Sequence, residues 1–383
     1  MHRLFTLLTA GLALAVAATL AASPDASVAA RSRQTARLVM HPQIAQPGVS
    51  PANADRARTA MTAVLTPHRA GRKVILQRRA GQRWVTMRTG RESGRGVVEF
   101  TAPYRVSGEI ARYRVVALRH QGLPRKASAA ASTDRWGPAD YSQQFSGTFA
   151  GHDLPDPWSH RLQGYGEVGN RTCSASEARA TRVADGTARL MVLKSSGPNP
   201  TLRPRCRLDG ASYDWRINGN IGTQGGYSFR YGYAAARIRF QPRAGQHASF
   251  WLLPDASNAA PGTRGAEIDT IEWYGDRAND DNELANMVHY QGRPQIGGTI
   301  SNPGRFGDHW AGKYHVFSVE WTPRKYVFRI DGRKTRQIDT GVSDQPEYLV
   351  LSLISSDFEL KYAPQARRQT MHVDWVRVWD RQP

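Results

Sequence analysis

Three carboxylates lie within six positions of the stretch AEIDTIEWYG, residues 266–275. The residues between and after them are β-branched or aromatic, a composition typical of a buried strand. Acidic side chains are seldom buried without a partner or a chemical task. Glu267, Asp269 and Glu272 are therefore the first candidates for a functional site.

The spacing of these acids does not fit a regular strand. Side chains alternate along a strand, so Glu267 and Asp269 share one face whereas Glu272 points to the other. One extra residue near Thr270 and Ile271 shifts the phase and returns Glu272 to the face of the other two acids. Bulges of this kind occur beside active sites. The sequence therefore predicts a kinked strand whose three acids face one cleft.

Two carboxyl groups in one cleft, with a third between them, suit chemistry at a glycosidic bond. Retaining glycosidases use one ionised carboxyl as nucleophile and one protonated carboxyl as general acid, about 5 Å apart. In this interpretation Glu267 is the nucleophile and Glu272 the general acid and then the base. Asp269 orients the nucleophile and raises the proton affinity of its neighbour. The residue types alone also fit a metal site or a solvated acidic edge strand.

The flanking sequence favours the glycosidase. EIDTIEWYG resembles the signature of glycoside hydrolase family 16 in its bulged E-x-D-x-x-E form, which laminarinases (endo-1,3-β-glucanases), agarases and carrageenases carry. Further blocks resemble the family in the same order: residues 231–238 (YGYAAARI), 249–254 (SFWLLP), 314–323 (YHVFSVEWTP), 330–332 (IDG) and 373–378 (VDWVRV). Ala235 and Ala266 depart from the usual family residues, but neither replaces a catalytic carboxylate. The resemblance covers residues 137–383.

The resemblance implies a concanavalin-like jelly-roll β-sandwich and a secreted, endo-acting, retaining glycosidase. Its expected substrate is a β-linked polysaccharide, with 1,3-β-glucan favoured. An agarase or carrageenase, a transglycosylase and a non-catalytic glucan-binding protein on the same fold remain alternatives. No cofactor is expected for catalysis. Asp374 matches a family position that binds a structural calcium, so a calcium site there is a second expectation.

Aromatic residues are candidates for sugar binding because pyranose rings stack on aromatic planes. They are Tyr213, Trp215, Trp251, Trp273, Tyr274, Tyr290 and Trp310. The block that contains Trp251 lines the cleft in the family. Trp273 directly follows Glu272 in the acidic stretch, and Tyr290 directly follows His289. Core packing is the alternative for each, and strand alternation favours it for Trp273. His289 and Asn220 match family positions that contact the nucleophile or a sugar.

The elements that must position these residues are strands. The chain of 383 residues is 40% hydrophobic and 22% charged, and its short apolar runs alternate with Gly, Pro, Asn and Asp clusters. This pattern predicts an all-β protein, and the length predicts two domains. The apolar run at residues 4–20 and the small residues 28–30 predict a secretory signal peptide over residues 1–30. No second run of that length follows, so no membrane span is expected.

Residues 35–125 are predicted to form a small immunoglobulin-like or fibronectin-like sandwich. Strands are predicted at 59–65, 73–79, 84–88, 97–101 and 111–118, with a hairpin turning at Ala80 and Gly81. Residues 126–136 are rich in Ala and Ser, which is typical of a linker. The second domain then extends over residues 137–383.

Most of the net charge of +20 belongs to the first domain. Residues 31–126 contain only four acids, Asp55, Glu92, Glu99 and Glu109. A positive electrostatic field attracts polyanions. One hypothesis is therefore that this domain attaches to an anionic cell-envelope polymer or an acidic polysaccharide. The alternative is an ordinary solvated surface. The basic residues are spread over several strands without a recognition helix, so nucleic acid is not an expected partner. The protein is expected to be a monomer.

The two cysteines, Cys173 and Cys206, both lie in the second domain. In an exported protein a single pair predicts a disulfide. No Cys and His residues have the spacing of a zinc site. The acidic loop at residues 276–281 lacks the ordered alternation of a calcium-binding EF-hand.

Overall fold

The computed structural model describes residues 34–52, 56–136, 141–255, 265–275, 284–290 and 293–381. The predicted signal peptide and the acidic loop 276–281 lie outside the described residues. Over these ranges the chain is almost entirely β, and its 3-10 helices are short: Ala178–Ala180, Pro303–Arg305 and Asp357–Tyr362. The all-β prediction is confirmed. No helix within the described ranges has the length and apolar character to cross a membrane.

Residues 34–136, which we call the amino-terminal module, form a small β-sandwich. Its strands are β1 (Thr35–Met40), β2 (Arg58–Thr66), β3 (Lys73–Ala80), β4 (Arg83–Arg91), β5 (Val97–Pro103), β6 (Arg105–Val106), β7 (Glu109–Ile110), β8 (Arg112–Ala117), β9 (Lys126–Ala127) and β10 (Ala131–Ser132). One sheet has the order β1-β2-β5, and the other has the order β10-β8-β3-β4 with β9 also on β8. The predicted strands and the hairpin between β3 and β4 are present. The exact domain limits stay predictions.

Residues 126–136 are not a free linker, which corrects that prediction. β9 and β10 both pair with β8. The Ser128 N–H donates to Val115 O at 2.9 Å, and its hydroxyl accepts from the Val115 N–H at 3.1 Å. Trp136 then packs edge-on against Trp379 of the second domain, with 6.0 Å between ring centroids. Composition does not distinguish a flexible segment from a strand whose small side chains fit against a neighbour.

The described residues from 141 to 381 form the second domain. Its strands are β11 (Tyr141–Thr148), β12 (Ser159–His160), β13 (Ser174–Ser176), β14 (Thr181–Ala184), β15 (Thr187–Ser195), β16 (Cys206–Leu208), β17 (Ala211–Tyr213), β18 (Trp215–Gly222), β19 (Ser228–Phe229), β20 (Gly232–Arg239), β21 (His247–Pro254), β22 (Ala266–Trp273), β23 (Leu284–Tyr290), β24 (Ile296–Thr299), β25 (His315–Thr322), β26 (Lys325–Ile330), β27 (Arg333–Ile338), β28 (Glu347–Ile354) and β29 (Gln369–Arg381).

These strands build a jelly-roll β-sandwich, as the family resemblance implied. The front sheet has the order β24-β23-β22-β21-β28-β18, and the back sheet runs β15-β29-β20-β25-β26-β27 with β11 also on β29. β18 pairs in both sheets. Apolar side chains from both inner faces fill a continuous core between the sheets. The front sheet carries the candidate site on its other face.

The back sheet is covered by the amino-terminal module. Strand alternation puts Ala234 and Val376 into the sandwich core, and it turns Tyr233, Trp375 and Trp379 outward. The outward residues are nevertheless buried, because they share a second apolar core with the module. The two domains therefore pack together through an apolar contact. Exposure of these side chains to water would cost free energy, so the contact stabilises the packed arrangement.

A strap at residues 41–52 crosses the back sheet and adds polar contacts. The Arg237 guanidinium donates to Gln46 O at 2.7 Å and to Asp374 Oδ2 at 2.6 Å. The same carboxylate oxygen accepts from the Ala52 N–H at 3.2 Å. A guanidinium thus already neutralises Asp374. This donor set does not fit a calcium site, which needs six to eight oxygen ligands, and the calcium expectation at Asp374 gains no support.

Cys173 and Cys206 form the predicted disulfide, with Cα atoms 5.5 Å apart. The bridge is buried against Trp215 and Leu360 in a small satellite core. Leu360 lies in the 3-10 helix Asp357–Tyr362, which also supports the candidate site. The disulfide therefore joins the short hairpin of β16 and β17 to the part of the domain that holds the site.

Candidate active site

β22 contains the predicted bulge. In its pairing with β23, Asp269 opposes Met287 and Glu272 opposes Ala285, so two residues of β22 face the single residue Asn286. The Asn286 Nδ2–H donates to Thr270 O at 2.6 Å, which satisfies a carbonyl that the irregular pairing would leave without a partner. β22 also carries one residue more than β21 on its other side.

The bulge brings the three acids to one face. On β21, Ser249 opposes Glu272 and Trp251 opposes Asp269, and alternate residues of a strand point to the same side. Glu267 opposes His289 on β23. His289 Nε2 lies 3.4 Å from Asp269 Oδ2 and 4.0 Å from Glu267 Oε1. The acids therefore meet on the outer face of the front sheet.

A row of polar residues crosses this face at right angles to the strands. Asn220, Ser352, Ser249 and Glu272 oppose one another in turn on β18, β28, β21 and β22. Trp251 lies beside the row, and its Nε1–H donates to Ser352 Oγ at 3.1 Å. The row places hydroxyl and amide groups beside Glu272 on this face.

Burial distinguishes the two glutamates. The Glu267 side chain is 38% exposed, whereas Glu272 is only 8% exposed. Burial raises the pKa of Glu272 to about 7, and the neighbouring Asp269 carboxylate adds to the increase. Burial also raises the pKa of Asp269, to about 6, and that of Glu267. Near neutral pH, Glu272 is thus the carboxyl best able to hold a proton.

Tyr274 and a buried ion pair stand behind Glu272. The Tyr274 O–H donates to Glu272 Oε2 at 2.9 Å, and its ring packs on His247 with 5.2 Å between centroids. His247 Nδ1 lies 2.7 Å from Glu359 Oε2. Burial opposes protonation of His247, but the Glu359 carboxylate outweighs it and raises the His247 pKa. In its protonated form His247 lowers the pKa of Glu272, against the larger effect of burial.

His289 provides a positive charge on the other side of the site. Its hydrogen bond with Asp269 raises the pKa of the imidazole in spite of partial burial. The charged ring lowers the pKa of Glu267 against the effect of burial. Across the described ranges, Glu267, Asp269 and His289 are the one group of three acidic, His or Cys residues whose ligand atoms lie close together, within 4.8 Å of one another. A metal ion is therefore the alternative occupant to test.

A cavity of about 540 Å³ reaches the site through Trp251, which opposes Asp269, and Asn220, Arg161 and Arg171 also line it. The Arg161 guanidinium lies over the Trp251 ring, 5.2 Å from its centroid, and donates to the Tyr348 hydroxyl at 3.1 Å. Asn220 Oδ1 is buried and has no hydrogen-bond partner among the described residues. The cavity thus offers an aromatic plane, an amide and two cations to a ligand.

Trp273 corrects one expectation, because it cannot contact a sugar. Its side chain is fully buried, its Nε1–H donates to Gln241 O at 2.7 Å, and its ring stacks on Phe240 at 5.9 Å. Two further aromatic candidates, Trp215 and Trp310, are also buried in apolar clusters. Alternation past the bulge explains this result for Trp273, since it follows Glu272 directly and points into the core.

Tyr290 is half-buried at the end of β23, opposite Ala266. Together with Trp251, Asn220 and His289 it remains a candidate for substrate contact. Sequence reasoning missed Arg161 and Arg171, and it did not connect Tyr274 to Glu272. The two arginines lie outside the matched blocks, and no local pattern distinguishes them from other surface arginines of this basic chain.

Comparison with known proteins locates the chain among carbohydrate-active enzymes. Residues 177–377, more than half of the chain, match the family described as "Glycosyl hydrolases family 16". The chain is 24% identical over 218 residues to "Glucan endo-1,3-beta-glucosidase A1" of Niallia circulans, covering 52% of this chain and 30% of that protein. It is 25% identical over 248 residues to "Beta-glucanase" of Rhodothermus marinus, covering 59% and 80%. The chain thus spans less than a third of the first relative.

Solved structures show the same fold. The catalytic domain of an endo-1,3-beta-glucanase (laminarinase) from Thermotoga petrophila RKU-1 superposes with a TM-score of 0.50 at 17% identity, covering 64% of this chain and 100% of that chain. SCLam, a non-specific endo-beta-1,3(4)-glucanase, superposes with a TM-score of 0.50 at 20% identity, covering 64% and 93%. At these identities the likeness concerns the fold.

Proposed function

Because the chain belongs to glycosyl hydrolase family 16, we propose that it hydrolyses β-linked glucans, with 1,3-β-glucan as the preferred substrate. The observation that carries the proposal is the bulged strand β22, which turns Glu267, Asp269 and Glu272 to one face. The names of the matched relatives, a glucan endo-1,3-β-glucosidase and a β-glucanase, support the choice of substrate.

The proposed reaction is a double displacement. In the first step the ionised Glu267 carboxylate attacks the anomeric carbon, and Glu272 gives its proton to the departing glycosidic oxygen. In the second step Glu272 takes a proton from a water molecule, and the hydroxide oxygen displaces Glu267 from the sugar. The net result is one cleaved glycosidic bond with retained configuration, and both glutamates return to their starting states.

Two features suit the glutamates to different roles. Glu267 is the more exposed, and the charged His289 lies 4.0 Å from it, so its ionised form is the better stabilised of the two. Glu272 is buried, and its pKa of about 7 leaves about half of it protonated at pH 7, far more than an ordinary glutamate. Asp269, held by His289 at 3.4 Å, lies between them and keeps the imidazole in place.

The first experiment is an assay for new reducing ends. The full chain and its Glu267→Ala and Glu272→Ala variants would be incubated with laminarin, mixed-linkage glucan, agarose and carrageenan. The expected result is hydrolysis of laminarin by the unsubstituted protein and no hydrolysis by either glutamate variant. Glu109→Ala, which removes an exposed carboxylate of the amino-terminal module, is the matched control and should retain full activity. Equal binding of laminarin by all four proteins with no new ends would identify a carbohydrate-binding protein instead.

A second experiment tests the roles of the two glutamates. With an activated glucoside that needs no acid, azide should restore turnover to Glu272→Ala and yield a β-glycosyl azide. Azide should convert the same substrate to an α-glycosyl azide with Glu267→Ala, because it then takes the place of the missing nucleophile. Azide products of the opposite configuration would exchange the roles of the two residues.

One observation favours a second substrate. Arg161 and Arg171 line the cavity beside the acids, and guanidinium groups bind sulfate esters well. A sulfated galactan is therefore the second candidate, and the carrageenan arm of the assay decides it. An Arg161→Gln variant that loses activity on carrageenan but not on laminarin would support a galactanase.

We further propose that the protein is exported. The buried disulfide between Cys173 and Cys206 supports an oxidising location, since such bonds are rare in reducing compartments. The apolar residues 4–20 supply the predicted signal. Amino-terminal sequencing of protein recovered from culture medium tests this. The expected mature protein begins between about residues 22 and 31, and recovery only from lysed cells would contradict export.

A further inference from the structure

The five-stranded sheet of the amino-terminal module is strongly basic. Its neighbouring strands β3, β4 and β8 carry eight Arg and Lys residues and no Asp or Glu. We propose that the outer face of this sheet is a binding site for an acidic polysaccharide, formed by Arg79, Arg112, Arg114 and Arg125 around Trp84. We call these five residues the basic cluster. The site is separate from the proposed hydrolytic groove.

Trp84 fixes two of the guanidinium groups. Arg114 lies over the indole ring at 4.2 Å from its centroid, and Arg79 at 5.5 Å. The register across the three strands explains this arrangement, because Arg79 opposes Trp84 while Arg114 opposes Gln77 on the same face. Stacked guanidinium groups lose little further freedom when their N–H edges bind an oxyanion, so the cluster is organised before a ligand arrives.

The acceptors that hold these arginines are neutral. The Arg114 Nε–H donates to Gln77 Oε1 at 2.9 Å, and the Arg79 Nε–H donates to Gly81 O at 2.7 Å. The Arg79 and Arg114 side chains are therefore held in place by neutral acceptors, which do not compensate their positive charges. Burial lowers the pKa of Arg114, and the charges of Arg125 and Arg79 lower it further, as expected for cations crowded together without a counter-ion.

The buried or partly buried acids of the module are occupied elsewhere. Glu92 is buried and accepts from the Arg69 N–H at 2.7 Å. Glu99 faces the second domain, where it accepts from the Lys334 N–H at 2.9 Å and pairs with Arg333 at 3.8 Å. Protection of an exposed sheet edge does not explain the cluster either, because Arg79 and Arg114 lie on the inner strands β3 and β8 rather than on the edge strand β4.

The position of the sheet suits an anchoring role. The other sheet of the module faces the second domain: Ala60 on β2 packs so closely on Gly332 that a Cβ there would lie 2.3 Å from the Ala60 methyl group. The module covers the back sheet, whereas the acids are on the outer face of the front sheet. A polymer bound to the basic cluster would leave the hydrolytic groove open to substrate.

The chemistry favours a polysaccharide over a nucleic acid. Both guanidinium groups lie over Trp84, which leaves its ring poorly available for stacking on a base. Four cations spread over β3, β8 and the following loop match a flexible chain that presents carboxylate or sulfate groups at intervals. A linear acidic polysaccharide has this property, and the experiment separates carboxylate from sulfate as the recognised group.

The test uses the full chain with Glu267→Ala, so that binding is measured without hydrolysis. Affinity electrophoresis in gels containing polygalacturonate, dextran sulfate or neutral dextran gives a Kd for each polymer. We expect binding to one or both acidic polymers and none to dextran. An Arg79→Gln/Arg114→Gln double variant should weaken binding by roughly tenfold or more, because it removes two preorganised charge-assisted contacts.

The matched control is an Arg182→Gln/Arg324→Gln double variant, which removes the same charge from exposed positions of the second domain. It should change the Kd less than about twofold, since distant charges act only through a screened field. Equal weakening by the two double variants would overturn the site in favour of net charge alone. Complete displacement of the polysaccharide by equimolar duplex DNA would overturn the choice of partner.

Two further variants protect the test against misfolding. Arg114→Lys keeps the charge but loses the planar stack, and its Kd should lie between those of the parent and the double variant. In the active background, Arg79→Gln/Arg114→Gln should hydrolyse soluble laminarin at the parent rate, which would show that the fold is intact. Loss of that activity together with polymer binding would overturn the separation of the two sites.

Discussion

The hydrogen bond between Tyr274 and Glu272 leads to a prediction about pH. The Tyr274 O–H donates to Glu272 Oε2 at 2.9 Å and stabilises the ionised carboxylate more than the neutral acid. A Tyr274→Phe substitution removes this donor and leaves an apolar ring in its place. Both effects disfavour the charged form, so the pKa of Glu272 should increase.

The size of the shift follows from the strength of such a bond. Hydrogen bonds to charged groups contribute about 1.5 to 3 kcal/mol, and about half of this is retained by the neutral acid or by water that enters the site. One pKa unit corresponds to about 1.4 kcal/mol. The pKa of Glu272, about 7 in the parent, should therefore increase by roughly one unit in the variant.

The assay is the pH dependence of kcat/KM for laminarin between about pH 4 and 10, whose alkaline limb reports the general acid of the free enzyme. In the proposed mechanism Glu272 must be protonated, so activity should fall as pH rises through its pKa. At pH 8 about one tenth of the parent and one half of the variant would be protonated, so activity relative to each maximum should differ about fivefold.

Tyr290→Phe is the control, because it removes a tyrosine hydroxyl from the neighbouring strand β23 without a hydrogen bond to Glu272 among the described residues. Its alkaline limb should coincide with that of the parent. An alkaline limb that stays in place or moves to lower pH in Tyr274→Phe would refute the assignment of Glu272 as the group that sets it.

Three further predictions follow from the site and its supports. His289→Ala should move the acid limb of kcat/KM to higher pH, because the imidazolium lowers the pKa of Glu267 and its loss leaves burial opposed only by the weaker effects of Arg161 and Arg171; an unchanged acid limb would contradict this. Trp273→Ala should lower the free energy of unfolding by about 3 to 5 kcal/mol in a denaturant titration, whereas Trp251→Ala should raise KM with a smaller loss of stability; the reverse pattern would exchange their core and substrate roles. Dialysis against EDTA should change neither kcat nor the Tm, because the proposed chemistry needs no metal and Arg237 already neutralises Asp374; a loss of activity restored by a divalent cation would favour the metal alternative at Glu267, Asp269 and His289.

The bulge could be predicted because its cause is local. Three acids at positions 267, 269 and 272 can share a face only if the strand gains a residue, and the pairing with β21 and β23 shows that residue. The disulfide was likewise predictable from two cysteines in one domain. Both inferences needed only the order of residues along the chain and the period of a strand.

The support of Glu272 could not be predicted in the same way. His247 and Glu359 are 112 positions apart, and only the folding of β21 beside the 3-10 helix Asp357–Tyr362 brings them together. The role of residues 126–136 depends on the same kind of distant contact, since Trp136 gains its partner Trp379 only when the back sheet forms. Short-range patterns carry no information about such pairs.

The apolar contact between the amino-terminal module and the back sheet has a practical consequence. The two matched glucanase structures cover 64% of this chain, which invites expression of residues 137–383 as a minimal enzyme. Such a fragment would expose Tyr233, Trp375 and Trp379 to water as an apolar patch. The Arg237 guanidinium would also lose its hydrogen bond to Gln46 O. Such a fragment should aggregate in the expression host unless residues 34–136 are retained or polar side chains replace the apolar ones on that surface.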